Sequence, residues 1–305
     1  MHPSIEQELA AIGADRDHGA AQLAGRGLRL LARACALGEG MGAGEVLAQT
    51  AALARRIRAL RPSMAAPGNW ALAFLLDLRE RLGAGAPPSP REAGQAAAGA
   101  LLRRLEAHPG RIAEAAAPLL RELRALLTLS YSSTVEAAIL RAAPPECLAI
   151  VAESRPLLEG RKLIRRLREA GRRARCITDA QAGLAMREAG ILLLGADAIT
   201  SDLAAVNKAG SFPAALAAQA LGKPCAVLAD TFKVSGAAAS GEIPLEEGPG
   251  GEVWEEEAAL CANVCFETVP AGLITFYVTE KGILSPREMR EEAARWRRLA
   301  EALGE

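Results

Sequence analysis

Between Gly190 and Val234 the chain reads GILLLGADAITSDLAAVNKAGSFPAALAAQALGKPCAVLADTFKV, apolar runs alternating with polar residues placed at their ends. The strand-like ILLLG delivers Asp197, and a Gly-bearing turn then delivers Asn207 and Lys208. An Ala-rich helix follows, and a second apolar run, CAVLA, delivers Asp230 and Lys233. A carboxylate and two ammonium groups are thereby expected to converge at the mouth of a parallel sheet, where open α/β folds bind ligands.

Outward from this stretch the same rhythm holds from about residue 119 onward. ALLTL, CLAIVA, ARCIT, GILLLG, CAVLA and LITFYVT read as strands, alternating with helices near 133–143, 161–170, 180–189, 213–221 and 285–302. Such alternation predicts a Rossmann-like, doubly wound, mostly parallel sheet. Runs apolar at every position predict strands covered on both faces. The residues after the runs are Ser130 to Ser133, Glu153 to Arg155, Asp179, Asp197, Asp230 to Lys233 and Thr279 to Lys281, so every strand ends in polar or charged groups. Residues 237–257, rich in Gly, Pro and Glu, read as a long surface loop.

Residues 4–118 are Ala-, Leu- and Arg-rich, with apolar side chains at helical spacing, as in Leu72, Leu75, Leu76 and Leu82. Breaks at 38–44, at RPSMAAPGN and at GAGAPPSP divide this half into four or five helices. The division expected is therefore a helical domain over 1–118 and a Rossmann-like ligand-binding domain over 119–305.

Acidic and basic residues balance at 36 each, which argues against general affinity for nucleic acid or membranes. Neither a basic leader with an apolar run nor a long uncharged apolar stretch occurs, so a cytoplasmic protein is expected. The six cysteines, at 35, 147, 176, 225, 261 and 265, lie in apolar contexts and read as buried free thiols. With histidines at 2, 18 and 108 alone, neither a metal centre nor a Ser-His-Asp triad is expected.

Asp197 follows a fully apolar run, where a carboxylate is costly unless paired or functional. The alternative is a turn or helix-capping role. Lysine is scarce, five against 31 arginines, yet two of the five stand at strand mouths. Lys208 with Asn207 suits a phosphate and vicinal hydroxyls, whereas Lys233 fits either a ligand or an internal salt bridge. Ser132 and Ser133 open a helix, and their groups suit either plain capping or a phosphate.

These words carry a resemblance. GAD, NKAGS and ADTFK, together with TLSYSSTVEAAI (Thr128 to Ile139), ESRPLLEGRKL (Glu153 to Leu163) and VPAGLITFYVTEKGILSP (Val269 to Pro286), resemble in order and spacing one family. It unites methylthioribose-1-phosphate isomerase, archaeal ribose-1,5-bisphosphate isomerase and the alpha, beta and delta regulatory subunits of initiation factor 2B. DHGAAQLA (Asp17 to Ala24) and LRPSMAAPGN (Leu60 to Asn69) are fainter echoes.

The resemblance implies a sugar-phosphate or nucleotide-phosphate ligand and no cofactor. It implies Asp197 at the sugar C1/C2 centre, and Arg61, Gly19, Ala20, Ser132, Ser133, Arg155, Asn207, Lys208 and Lys233 around the ligand. Where the isomerases carry an active-site Cys, this chain has Ser130, and where they carry Arg before Gly-Ala it has His18. The activity implied is aldose-1-phosphate to ketose-phosphate isomerisation, with Ser130 or a water standing in for the thiol. The alternative is a non-catalytic metabolite sensor or an initiation factor 2B-type regulatory or assembly subunit. At least a homodimer is implied, with Leu273 to Leu303 near its interface.

Overall fold

The computed structural model describes residues 2–302 except 17, 39, 85, 86 and 237. The chain forms two compact units, Met1–Ala107 with Ala294–Glu305, and His108–Ala293. This division falls inside a long helix, whereas the sequence rhythm changes only at about 119.

The first unit is helical. It contains α1 (Pro3–Ala14), α2 (Ala20–Leu37), α3 (Ala43–Leu60), α4 (Ala65–Leu82) and the part of α5 (Pro90–Leu120) up to Ala107. Its core is built where apolar side chains recur on one face: Leu23, Leu30 and Leu31 of α2, Leu53 and Ile57 of α3, and Trp70, Phe74 and Leu78 of α4 are all buried.

The second unit carries the sheet. Its strands are β1 (Ala125–Leu129), β2 (Leu148–Ala152), β3 (Ala174–Ile177), β4 (Leu192–Leu194), β5 (Ala198–Ile199), β6 (Ala205–Lys208), β7 (Cys225–Leu228), β8 (Phe266–Val269), β9 (Phe276–Thr279) and β10 (Gly282–Leu284). Between them run α6 (Ser133–Ala142), α7 (Glu159–Glu169), the short α8 (Ala182–Ala185) and α9 (Ser211–Ala220), and α10 (Pro286–Glu301) closes the chain.

The main sheet has the order β10-β9-β7-β4-β1-β2-β3, parallel except for β10. From β1 the chain first winds one way to β2 and β3, then the other way through β4 to β7 and β9. The winding reverses between β1 and β4, and a crevice opens at the carboxyl ends of strands at such a point.

Three expectations are corrected. Asn207 and Lys208 lie on a strand rather than a turn, since β6 pairs antiparallel with β5 and β8 in a separate three-stranded sheet. The run ARCIT is not a buried strand. It forms β3, an edge strand with Arg175 and Cys176 exposed, because only β2 flanks it. All six cysteines are free, but Cys176 is exposed and Cys261 only partly covered. Burial pushes the thiols of Cys35 and Cys225 up to about 12. Residues 238–257 form turns and one short 3-10 segment, and Ala237 lies outside the described residues.

Candidate functional site

The crevice between β1 and β4 is floored by two turns. After β1 the backbone turns sharply at Ser130, a buried residue with φ of 60, and reaches Ser132, which caps α6 with its hydroxyl accepting from the Val135 N–H at 3.4 Å. Left-handed backbone at a serine costs about 1 kcal/mol or more and is held only by surrounding structure. Ser133 is the first residue of α6.

The turn after β4, Gly195–Ala196–Asp197, is held from several sides. A Cβ on Gly195 would fall 2.8 Å from the Ser132 hydroxyl and 3.7 Å from Asn207 Oδ1, so glycine alone lets these groups draw together. Lys233, which is buried, donates its Nζ to the Ala196 carbonyl at 2.6 Å. The Asp197 amide donates to the Val206 carbonyl at 2.8 Å, tying the turn to β6. Asp197 itself is half-buried.

Asn207 and Lys208 follow on β6. Asn207 donates Nδ2 to Ser211 Oγ at 2.8 Å, and Ser211 donates to the Lys208 carbonyl at 2.6 Å. Lys208 Nζ pairs with Glu159 at 2.6 Å and sits 5.1 Å from the Phe266 ring centroid. Glu159 opens α7, where the helix dipole favours a carboxylate.

Arg155 is exposed, and its hydrogen bonds run to other segments of the second unit. Its backbone N–H donates to Asp179 Oδ2 at 2.7 Å, beside Ser154 N–H to Oδ1 at 2.8 Å, and its Nη2 donates to the Val253 carbonyl at 3.0 Å. A small open recess, lined by Leu127, Leu129, Asp179 and Gly210 among others, flanks the β1 turn on the α8 and α9 side. Asp197, Asn207 and Lys208 are not among its walls.

In the helical unit a separate cluster centres on Asp15. Its carboxylate meets His18 Nδ1 at 2.8 Å and Arg26 Nη1 at 2.5 Å, and its carbonyl accepts from Arg61 Nη1 at 2.5 Å. Gly19 caps α2, its N–H donating to Gln22, and Ala20 is buried at the first helical position. Arg61 is buried at the end of α3.

Several residues escaped the sequence reading. Glu267 of β8 accepts from Gly210 N–H at 2.6 Å and Phe212 N–H at 2.8 Å, filling the N-terminus of α9. No local pattern announces it, because its partners lie about 55 positions away. Glu159, the partner of Lys208, could have been sought as an acidic first-turn residue.

Asp230 and His108 are both buried, with Nδ1 of His108 4.0 Å from Asp230 Oδ1. Burial raises the Asp230 carboxyl above its usual range, and the Lys233 and His108 charges oppose that rise. The apolar run CAVLA had pointed to Asp230, whereas nothing in the sequence paired it with His108.

Residues 16–286 match the model of the initiation factor 2 subunit family. The chain belongs to that family. Among its members, a putative translation initiation factor eIF-2B subunit 2-like protein of Pyrococcus horikoshii is 37% identical over 190 residues, 61% of this chain and 66% of that protein, just under two thirds of its length. A ribose 1,5-bisphosphate isomerase of Haloferax volcanii is 26% identical over 300 residues, 95% of this chain and 91% of that one. The crystal structure of the Pyrococcus horikoshii translation initiation factor eIF-2B superposes with a TM-score of 0.79 at 29% identity, covering 95% of this chain and 100% of that chain. In this family fold, then, the β1 and β4 turns form the reversal-point crevice.

Proposed function

We propose that this initiation factor 2 subunit family member binds a small phosphorylated sugar or nucleotide in the crevice between β1 and β4. The observation that carries the reading is the gathering of Ser132, Gly195 and Asn207 at the start of α6. The helix N-terminus there offers N–H donors and positive potential to a phosphate, and the Asn207 amide suits a sugar hydroxyl. Lys208, with three N–H donors, can share its charge between Glu159 and a phosphate. Asp197 stands at the reacting carbons of the sugar, Ser133 and Arg155 add ligand contacts, and Lys233 acts by fixing the Asp197 turn. The isomerase relative named above supports a sugar phosphate as the ligand class.

Turnover is a separate matter. Isomerisation moves a hydrogen between C1 and C2 of the opened sugar, and in this reading Asp197 carries the proton. The hydroxyl of Ser130 is a far weaker acid than a thiol of pKa about 8.5. We therefore propose binding without turnover at enzymatic rates, which is the behaviour of a metabolite sensor or an assembly subunit of the initiation factor 2B type. Cytoplasmic location and self-association belong to the same proposal.

A thermal-shift panel of ribose 1,5-bisphosphate, methylthioribose 1-phosphate and AMP tests the binding. At least one should raise the melting temperature, as any ligand selective for the native state does. No shift with any phosphorylated sugar or nucleotide would remove the proposal. Ser130→Cys then tests the chemistry: turnover should rise from a level near zero, and Asp197→Asn should abolish it. A native protein that isomerises a pentose phosphate at roughly 1 per second or faster contradicts the non-catalytic reading.

A further inference from the structure

Lys208 is the cation on which the phosphate contact depends, yet its charge is already engaged. Its Nζ lies 2.6 Å from Glu159 Oε1, the two side chains being 12% and 28% exposed, and no other ion pair reaches it among the described residues. The carboxylate is only half satisfied by this pair. Its second oxygen, Oε2, is buried and accepts no hydrogen bond among the described residues. A buried carboxylate oxygen without a donor is unfavourable, so Lys208 holds Glu159 in a position that its other oxygen opposes.

The backbone on either side decides how Glu159 can move. Leu158, just before it, is held in the left-handed region with φ of 60, a conformation that persists only where the surroundings impose it. Gly160, just after it, is packed so closely that a Cβ there would fall 2.0 Å from the Ala152 carbonyl oxygen. The start of α7 is thus pinned, and rotation about its own side-chain bonds is the freedom left to Glu159. Partial exposure gives the carboxylate a path to water.

We infer that Glu159 is a gate on the phosphate contact: it occupies Lys208 in the empty protein, lowers affinity for a phosphorylated ligand, and swings to solvent when a phosphate takes its place. The inference rests on the phosphorylated-ligand reading above. Lys208 has donors enough for both anions, but a carboxylate and a phosphate on one ammonium repel each other, more strongly where water is partly excluded. Displacement also releases Oε2 from its unpartnered burial. The site is thereby held below the affinity that its lysine could give, so it responds to changes in ligand level instead of staying filled.

Two other roles for Glu159 predict the opposite sign. A carboxylate that orients Lys208, or that accepts from a hydroxyl of the ligand itself, would help binding, and its loss would weaken it.

Titration calorimetry of the full chain with ribose 1,5-bisphosphate, methylthioribose 1-phosphate and AMP separates these roles. Glu159→Gln keeps the shape and removes the charge, and it should bind whichever of the three the native chain takes roughly five- to tenfold tighter. Glu159→Asp keeps a charge at the start of α7 and should stay within about threefold of native. In a Lys208→Ala background the gain from Glu159→Gln should vanish, because a pairwise effect disappears when either partner is absent.

Circular dichroism melts check that each variant is folded, and should Glu159→Gln not fold, Glu159→Ala should show the same gain. Equal or weaker binding by Glu159→Gln, or a gain that persists without Lys208, would overturn the gate and leave the phosphorylated-ligand reading standing. Binding of none of the three compounds by either the native chain or Glu159→Gln would remove both.

Discussion

At the scale of single residues, Asp230 and Lys233 show what a buried charge does when it is not presented to solvent. Lys233 donates a hydrogen bond to the Ala196 carbonyl and interacts by charge with Asp230, so it orders the turn that carries Asp197. Lys233→Met should cost about 3 kcal/mol, because it leaves the buried Asp230 carboxyl without the positive charge that most opposes its rise. Urea unfolding measures this, and a loss below about 1 kcal/mol would deny Lys233 that role.

Asp230 also sets a pH dependence. Its folded pKa lies above the ordinary 3.8, so the folded chain holds this proton more tightly than the unfolded chain does. The stability it contributes is full below 3.8 and declines as pH rises through the folded value. Asp230→Asn should therefore gain on the native protein steadily as pH is raised above 4. Unfolding free energies of both proteins that keep a constant difference from pH 4 to 8 would refute the shift.

At the scale of elements, the parallel strands were legible because runs covered on both faces are apolar throughout. ALLTL and CAVLA appear in the structure as β1 and β7 within a residue of their predicted ends. The small sheet was not legible. β5 has two residues and β6 four, and β6 finds β8 about 60 residues on, so no local alternation marks them. Arg155 ends a strand in sequence but is directed toward Val253, a contact between segments far apart in the chain.

Two glycines fix how these elements meet. A Cβ on Gly160 would fall 2.0 Å from the Ala152 carbonyl oxygen, backbone that cannot yield, so Gly160→Ala should destabilise by about 3 kcal/mol or more. A change under about 1 kcal/mol in urea would show that α7 can shift away from β2. At Gly195 the obstacle is the Ser132 side chain, which can rotate. Gly195→Ala should thus cost less stability than Gly160→Ala while weakening a bound phosphorylated ligand by roughly tenfold, the loss of about one charge-assisted hydrogen bond.

At the scale of the molecule, the reversal of winding between β1 and β4 brings together residues that are far apart in sequence. Ser132, Gly195 and Asn207 meet because the strands that carry them are neighbours or feed the small sheet beside them. Strand-end polarity pointed to Ser132 after β1, whereas Asn207 was expected on a turn and stands on β6. The pairing of Lys208 with Glu159 and the capping of α9 by Glu267 were hidden, since each depends on how the loops fold back.

The central claim is that Lys208 and its neighbours hold a phosphorylated ligand, and titration calorimetry of native protein and Lys208→Ala tests it most directly. The ligand from the thermal-shift panel should bind the native chain one to one. Lys208→Ala should bind more than about tenfold weaker, since a charged hydrogen bond is worth roughly 1.5 to 3 kcal/mol, while loss of its partly exposed pair with Glu159 costs the fold only about 1 kcal/mol. Equal affinity in a folded Lys208→Ala variant would contradict the account.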